Sequence, residues 1–164
     1  MKNLLIYILL LSSLLGYSQK NLSKLLKQKN TGSIPYITVD SLANNKEKFI
    51  LLDSREKQEF ETSHLKNAIF VGYDFFNIDS IEKQLPNRNA EIVVYCSLGI
   101  RSEDIAEKLK KAGYQNVKNL YGGIFEWKNK DLPIYNASEA ETDSVHTYSK
   151  SWSKWLHNGK KVYD

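Results

Sequence analysis

The stretch Val93-Val94-Tyr95-Cys96-Ser97-Leu98-Gly99-Ile100-Arg101-Ser102 begins as an apolar β-type run and ends as the opening of a helix. Cys96, the only cysteine of the chain, and Arg101 stand at the two ends of the connecting loop. A loop that leads from a strand into a helix can direct several backbone N–H groups at one atom, which stabilises an anion there. The stretch therefore predicts a strand–loop–helix unit built around the sulfur of Cys96.

Apolar runs and helical patterns alternate on both sides of this unit. Residues 49–53 and 91–95 are runs typical of strands buried on both faces of a parallel sheet, and the second is predicted to be the central strand. Shorter strands are predicted at 36–39, 68–71 and 116–120. Helices are predicted after Asp40 as an N-cap, at 56–61, 79–85 and 102–112, and from residue 125. This alternation predicts an α/β sandwich with a mainly parallel central sheet flanked by helices.

The helix at 102–112 is predicted to start with Ser102 as its cap and to carry Glu103 and Asp104 in its first turn. The loop N–H groups, the helix N-terminus and Arg101 all favour a thiolate on Cys96. The two acidic groups oppose it, so both are expected to point to solvent.

The first eighteen residues have the pattern of a secretory signal peptide, with Lys2, an apolar run over 4–15 and a predicted cleavage before Gln19. A retained membrane anchor is the alternative, although this run is shorter than the roughly 20 residues that a spanning helix needs. After cleavage we expect a periplasmic or secreted protein with no stable membrane association. Residues 19–34 are then an N-terminal leader, 35–135 the domain, and 136–164 a C-terminal extension.

The C-terminal extension carries Tyr148, Trp152, Trp155 and Leu156 at a spacing that fits one face of a helix. This face either packs against the domain or binds a partner. The histidines of the extension, at 146 and 157, lack the spacing of metal ligands, so neither a metal nor another cofactor is predicted. With a formal net charge of +4 and no basic stripe among aromatic residues, nucleic acid is not a predicted partner.

Three segments, in this order, resemble the single-domain rhodanese (sulfurtransferase) family. They are Leu-Leu-Asp-Ser-Arg at 51–55 with His-Leu-Lys-Asn-Ala at 64–68, Tyr-Cys-Ser-Leu-Gly-Ile-Arg-Ser at 95–102, and Leu-Tyr-Gly-Gly-Ile-Phe-Glu-Trp at 120–127 with Leu132-Pro133. The resemblance covers residues 36–135 and implies a three-layer sandwich. Ser63 and Asn67 depart from the family pattern, in which many members have glycine at both positions.

The resemblance implies that Cys96 carries sulfur as a persulfide. A donor such as thiosulfate, a persulfide or a polysulfide would deliver sulfane sulfur, and a thiol or cyanide acceptor would remove it. The candidate catalytic residues are Cys96 and Arg101. The candidate substrate-binding residues are those of the loop, namely Ser97, Leu98, Gly99, Ile100 and Ser102. Gly99 is expected to adopt a positive φ so that the loop amides converge.

The side chains of Ser97, Leu98 and Ile100 are uncharged, which leaves Arg101 as the only cation at the rim of the predicted site. A doubly charged donor such as thiosulfate gains little from one cation. The loop therefore favours a persulfide, a polysulfide or a protein-borne donor.

Other functions remain open on the sequence alone. A non-catalytic rhodanese-like module would use the fold to bind a partner, and Cys96 would then be a buried thiol that only fills space. Related phosphatases and arsenate reductases carry one more residue before the arginine, whereas four residues separate Cys96 from Arg101. An unpaired cysteine in an exported protein favours a chemical role.

Four residues outside the loop are predicted to be structural. Asp53 and Arg55 are expected to form a pair that braces the scaffold, and His64 is expected to be a hydrogen-bonded structural histidine. Trp127 is predicted to lie in the core.

Overall fold

The computed structural model describes residues 21–163, so the predicted signal peptide lies outside the described residues. Residues 21–29 are helical and form helix α1. This helix belongs to one compact unit, and the chain from Ser33 onward forms a second. Within residues 21–163, no helix has the length and apolar character needed to cross a membrane.

A five-stranded parallel sheet forms the middle of the second unit. Its strands are β1 (Tyr36–Ile37), β2 (Ile50–Asp53), β3 (Ile69–Phe70), β4 (Glu91–Tyr95) and β5 (Asn116–Leu120). They lie in the order β1-β5-β4-β2-β3, and every adjacent pair is parallel. The prediction of β4 as the central strand and of an α/β sandwich is confirmed.

Five helices connect or follow these strands: α2 (Val39–Ala43), α3 (Lys57–Thr62), α4 (Ile78–Gln84), α5 (Arg101–Lys111) and α6 (Gly123–Asn129). The N-cap of α2 is Thr38 instead of Asp40, because the Thr38 hydroxyl accepts a hydrogen bond from the Ser41 amide at 3.2 Å. Helix α5 starts one residue earlier than predicted, and α6 starts two residues earlier.

One cluster of the apolar core lies between β4 and α5. Ile92 and Val94 of β4 are buried in one cluster with Ile105 and Leu109 of α5. These two elements flank the loop that holds Cys96, so burial of their apolar side chains fixes both ends of the loop.

The prediction of an aromatic helix in the C-terminal extension is wrong, because the extension forms short strands. Strand β6 (Ile134–Tyr135) pairs antiparallel with β7 (Glu141–Thr142), and β8 (Ser144–His146) pairs parallel with β9 (Lys160–Val162). A 3₁₀ turn over Ser153–Trp155 is the only helical part of residues 136–163. Neither end of the aromatic stripe has a helical backbone: Tyr148 has a left-handed φ of 63°, and Leu156 is extended.

The extension packs against its own domain, as one of the two alternatives predicted. The Asn129 side chain, at the end of α6, accepts from the His157 amide at 2.7 Å and donates to the Trp155 carbonyl at 2.9 Å. Lys128, also on α6, forms a 2.6 Å ion pair with Asp143.

Candidate active site

The candidate site lies where the carboxyl ends of β2, β4 and β5 meet at one edge of the parallel sheet. Ligands of parallel α/β sheets bind at this edge. Cys96 directly follows β4, and only 1% of the residue is exposed. The whole segment from Cys96 to Gly99 is buried.

Two polar groups lie next to the sulfur of Cys96. The Gly99 amide donates to Sγ at 3.1 Å, and the oxygen of the Ser102 hydroxyl lies 3.5 Å from the same atom. Gly99 has a φ of 105°, which confirms the expected left-handed conformation. A side chain at Gly99 would also approach the Leu120 carbonyl oxygen to 3.2 Å. The loop thus points the Gly99 amide at the sulfur, an arrangement that stabilises negative charge there.

Asn119 on β5 ties the loop to the sheet. Its amide nitrogen donates to the Gly99 carbonyl at 2.8 Å, and its amide oxygen accepts from the Ser102 hydroxyl at 2.7 Å. The prediction that Ser102 caps α5 is therefore wrong, because its hydroxyl is engaged by Asn119 and Cys96, and Ile100 occupies the cap position.

The expected solvent orientation of both acidic residues in the first turn of α5 is only half right. Asp104 is exposed and accepts a 2.6 Å hydrogen bond from the Tyr73 hydroxyl. Glu103 is buried, with 1% exposure, and Asn119 donates to it at 3.3 Å.

The guanidinium of Arg101 is not a free cation, because it forms a forked ion pair with Glu59 of α3. Both terminal nitrogens of Arg101 donate to Glu59 carboxylate oxygens at 2.7 Å. The Ser97 hydroxyl completes the cluster, donating to Glu59 at 3.1 Å and accepting from Arg101 at 3.0 Å. Glu59 is itself fixed by the Glu56 amide at 2.9 Å, within a capping box at the start of α3.

Burial and pairing act in opposite directions on this cluster. Burial tends to raise the pKa of Glu59, but the hydrogen bonds and charge of Arg101 outweigh it, so this pKa lies below its ordinary value. Burial tends to lower the pKa of Arg101, and Glu59 again outweighs it, so the arginine pKa is raised. Both groups are therefore charged at neutral pH, and the carboxylate largely compensates the guanidinium.

The start of α6 holds the backbone of the loop. The Ile124 amide donates to the Cys96 carbonyl at 2.9 Å, and the Phe125 amide donates to the Ser97 carbonyl at 3.2 Å. The free N–H groups of a helix start find partners in this way. Gly123 makes the approach possible, because a Cβ atom there would clash with the Cys96 carbonyl oxygen.

Residues predicted as structural have structural contacts. Arg55 is fully buried and pairs with Asp53 at 2.7 Å, next to the end of β2. His64 is buried with its ring stacked on Phe60, and its Nδ1 lies 3.0 Å from the Phe60 carbonyl. The Trp127 indole is buried and donates to the Pro133 carbonyl at 3.0 Å.

The structure thus places Gly99 and Ser102 at the sulfur, and Ser97 and Arg101 on Glu59. Leu98 is buried and Ile100 is half-buried, so the apolar rim predicted for the site is mostly enclosed. Glu59 and Asn119 were not identified from the sequence. The pattern Glu56-x-x-Glu59 at a helix start is a capping-box signal that marks Glu59 as an ordered residue, but it does not reveal Arg101 as its partner.

A comparison with protein families matches residues 38–130 to the rhodanese-like domain. The match contains 51–55, 64–68, 95–102 and 120–127 in full, and it ends before Leu132-Pro133 and β6. It includes Cys96, Arg101 and every residue described here at the sulfur.

Two curated relatives and one solved structure illustrate the similarity. An adenylyltransferase and sulfurtransferase, UBA4, from Candida albicans is 41% identical over 95 residues, which are 55% of this chain and 22% of the relative. A tRNA uridine(34) hydroxylase from Hamiltonella defensa is 34% identical over 93 residues, which are 52% of this chain and 26% of the relative. This chain therefore spans about a quarter of the length of these relatives.

The crystal structure of a rhodanese-related protein from Thermoplasma volcanium has 25% sequence identity and a TM-score of 0.51. The alignment covers 61% of this chain and 96% of that one. The part of this chain with a structural counterpart is thus about the size of a whole rhodanese-related domain.

Proposed function

The chain belongs to the rhodanese-like domain family, and on that premise we propose that it is a sulfurtransferase that carries sulfur as a persulfide on Cys96. One observation carries the proposal: the Gly99 amide donates to Sγ at 3.1 Å within a loop that the sheet and α6 hold in place. Donors aimed at a sulfur stabilise the thiolate before transfer and the terminal persulfide anion after it.

The proposed reaction has two displacements at sulfur. The Cys96 thiolate attacks the outer sulfur of a donor R–S–S⁻, the S–S bond of the donor breaks, and R–S⁻ leaves with the bonding pair. An acceptor thiolate then attacks the outer sulfur of the Cys96 persulfide, which forms a new persulfide and regenerates the Cys96 thiolate. Each step exchanges one S–S bond for another, so no oxidant or reductant is consumed.

The Glu59–Arg101 pair supports an uncharged or singly charged donor over thiosulfate. Both terminal nitrogens of the guanidinium are bound to the Glu59 carboxylate at 2.7 Å, so a dianion would have to compete with that carboxylate. We therefore favour a persulfide, a polysulfide or a protein-borne donor, together with a thiol acceptor. The same competition disfavours a phosphate or arsenate substrate.

We expect the wild-type chain, incubated with a polysulfide, to gain the mass of one sulfur atom, and Cys96→Ser to gain none. The matched control is Ser97→Ala, which keeps the only thiol of the chain and should still load. Intact-mass spectrometry before and after addition of a thiol acceptor measures loading and discharge. A wild-type chain that takes up no sulfur from polysulfide, thiosulfate or a low-molecular-weight persulfide would overturn the proposal.

A non-catalytic rhodanese-like binding module is the second candidate. The burial of Cys96, with 1% exposure, favours it, because a thiol that only fills space needs no access. Absence of sulfur uptake from all three donors, in a chain that is folded by circular dichroism, would support this second function.

As part of the proposal, we place the protein in the periplasm or outside the cell. The support is the charged start and the apolar run within residues 1–18. Fractionation of bacteria that express the full chain should find a shortened product outside the cytoplasm, starting near Gln19. Retention of a full-length product in the membrane fraction would instead identify an uncleaved anchor.

A further inference from the structure

The C-terminal extension reaches the candidate active site. Strand β8 lies beside α3, the helix that carries Glu59. Thr147, directly after β8, is buried and donates from both its amide and its hydroxyl to the Val162 carbonyl, at 2.9 and 3.2 Å. These residues lie outside the range 38–130 that matches the family, so the extension is an addition to the matched domain.

Tyr148 is the residue of the extension that touches the site. Its ring lies over the guanidinium of Arg101, with 4.9 Å between the ring centre and the guanidinium carbon. Two other contacts hold Tyr148 there: its amide donates to His146 Nδ1 at 3.2 Å, and its ring meets Trp152 edge-on at 5.5 Å. An aromatic ring on a guanidinium face is a favourable cation–π arrangement.

The backbone at Tyr148 shows that this placement is specific. Its φ of 63° is unfavourable for a bulky side chain, and such conformations persist only where surrounding contacts enforce them. Tyr148 as a residue is nevertheless 52% exposed, so the apolar core does not anchor it. The local backbone thus places the ring on Arg101, while no burial in the apolar core holds it there.

We propose that Tyr148 is a gate that controls access to Cys96. With the ring on Arg101, the extension closes the loop on the side of Glu59 and Arg101, and the thiol is enclosed. With the ring displaced, that side of the loop opens to an incoming donor or acceptor. This inference rests on the proposed function only for the identity of the reactants, because the gate itself limits any reagent that reaches the sulfur.

The test measures alkylation of the thiol by iodoacetamide. Cys96 is the only cysteine of the chain, so alkylation of the peptide that contains it, followed by mass spectrometry, reports on this site. Rates are taken at the high-pH plateau, where ionisation of the thiol is complete and a change in electrostatics does not contribute. Labelling of an enclosed group proceeds through local opening, so removal of the Tyr148 ring should raise the rate roughly tenfold in Tyr148→Ala.

Two further variants sharpen the test. Tyr148→Phe retains the ring and should label at the wild-type rate. Tyr163→Ala removes another exposed tyrosine of the extension and should also leave the rate unchanged. Thermal unfolding by circular dichroism shows whether each variant is folded. The gate is overturned if a folded Tyr148→Ala labels within about twofold of the wild-type rate. It is also overturned if Tyr163→Ala labels as fast as Tyr148→Ala.

Failure of the gate and failure of the proposed function are distinguishable, because alkylation needs no sulfur donor. If the alkylation rates differ as expected but the wild-type chain takes up no sulfur, the gate is supported and the transferase function is contradicted. If the wild-type chain takes up sulfur but the alkylation rates do not differ, only the gate is contradicted.

Discussion

Gly123→Ala should lower the free energy of unfolding by about 2–5 kcal/mol and strongly reduce sulfur loading on Cys96. The added methyl group would overlap the Cys96 carbonyl oxygen and lie 2.7 Å from the carbonyl carbon of Ser97. Because these neighbours are backbone atoms, no side-chain rotation relieves the clash. The start of α6 must move away, and the hydrogen bonds from Ile124 and Phe125 to the loop are then lost.

Urea unfolding and polysulfide loading of the same preparation measure the two effects of Gly123→Ala. The matched control is Gly113→Ala, which also replaces a glycine of positive φ, here 95°, but has no atom within 4 Å of the added methyl group. It isolates the cost of the left-handed backbone, about 1–2 kcal/mol, from the cost of the clash. Equal losses in the two variants would show that the close approach of α6 to the loop is unimportant.

Glu59→Gln should lower the free energy of unfolding by about 2–3 kcal/mol at pH 7, because it leaves the charge of Arg101 without its carboxylate. The side chains of Glu59 and Arg101 are only 3% and 11% exposed, so water replaces the lost interaction poorly. Because 11% of the Arg101 side chain stays accessible to water, the estimate lies just below the roughly 3–5 kcal/mol expected for a fully buried pair.

The effect of Glu59→Gln should depend on pH in a defined direction. The folded-state pKa of Glu59 is lowered, so its stabilising contribution is fully present above the unfolded pKa, about 4.3, and is lost as the pH falls through the folded value. The difference between wild type and Glu59→Gln should therefore be largest at neutral pH and shrink below about pH 4.3.

Urea unfolding at pH 7 and at pH 3.5 compares the two chains. Glu61→Gln is the control on the same helix, since Glu61 is 52% exposed and forms only a loose 3.6 Å pair with Lys57. This exposed pair should contribute less than about 1 kcal/mol at either pH. A Glu59→Gln difference that stays constant between the two pH values would mean that the carboxylate charge is not what stabilises the cluster.

The sheet and the loop could be predicted from the sequence because their signals are local. The apolar runs at 49–53 and 91–95 are continuous, and their burial follows directly from that composition. The positive φ of Gly99 is also a local property, since only glycine adopts it without strain.

The partners of the polar residues could not be predicted, because pairing depends on which elements the fold brings together. Glu59 lies on α3 and Arg101 on α5, and no spacing in the sequence relates them. Ser102 is a good cap by residue type, yet Asn119 on β5 offers its hydroxyl a buried acceptor at 2.7 Å. In the extension, the aromatic residues have helical spacing, yet the backbone is left-handed at Tyr148 and extended at Leu156.

The strand order also has a consequence for the time course of folding. Asn119, which fastens the loop, lies on β5, and β5 pairs with β4 on one side and with the distant β1 on the other. Pairings between segments far apart in the chain form late, since a long loop must close before they can contribute. We therefore expect the thiol of Cys96 to be enclosed only at the end of folding. Until then, this sulfur would be open to oxidants and to other thiols for longer than most of the core.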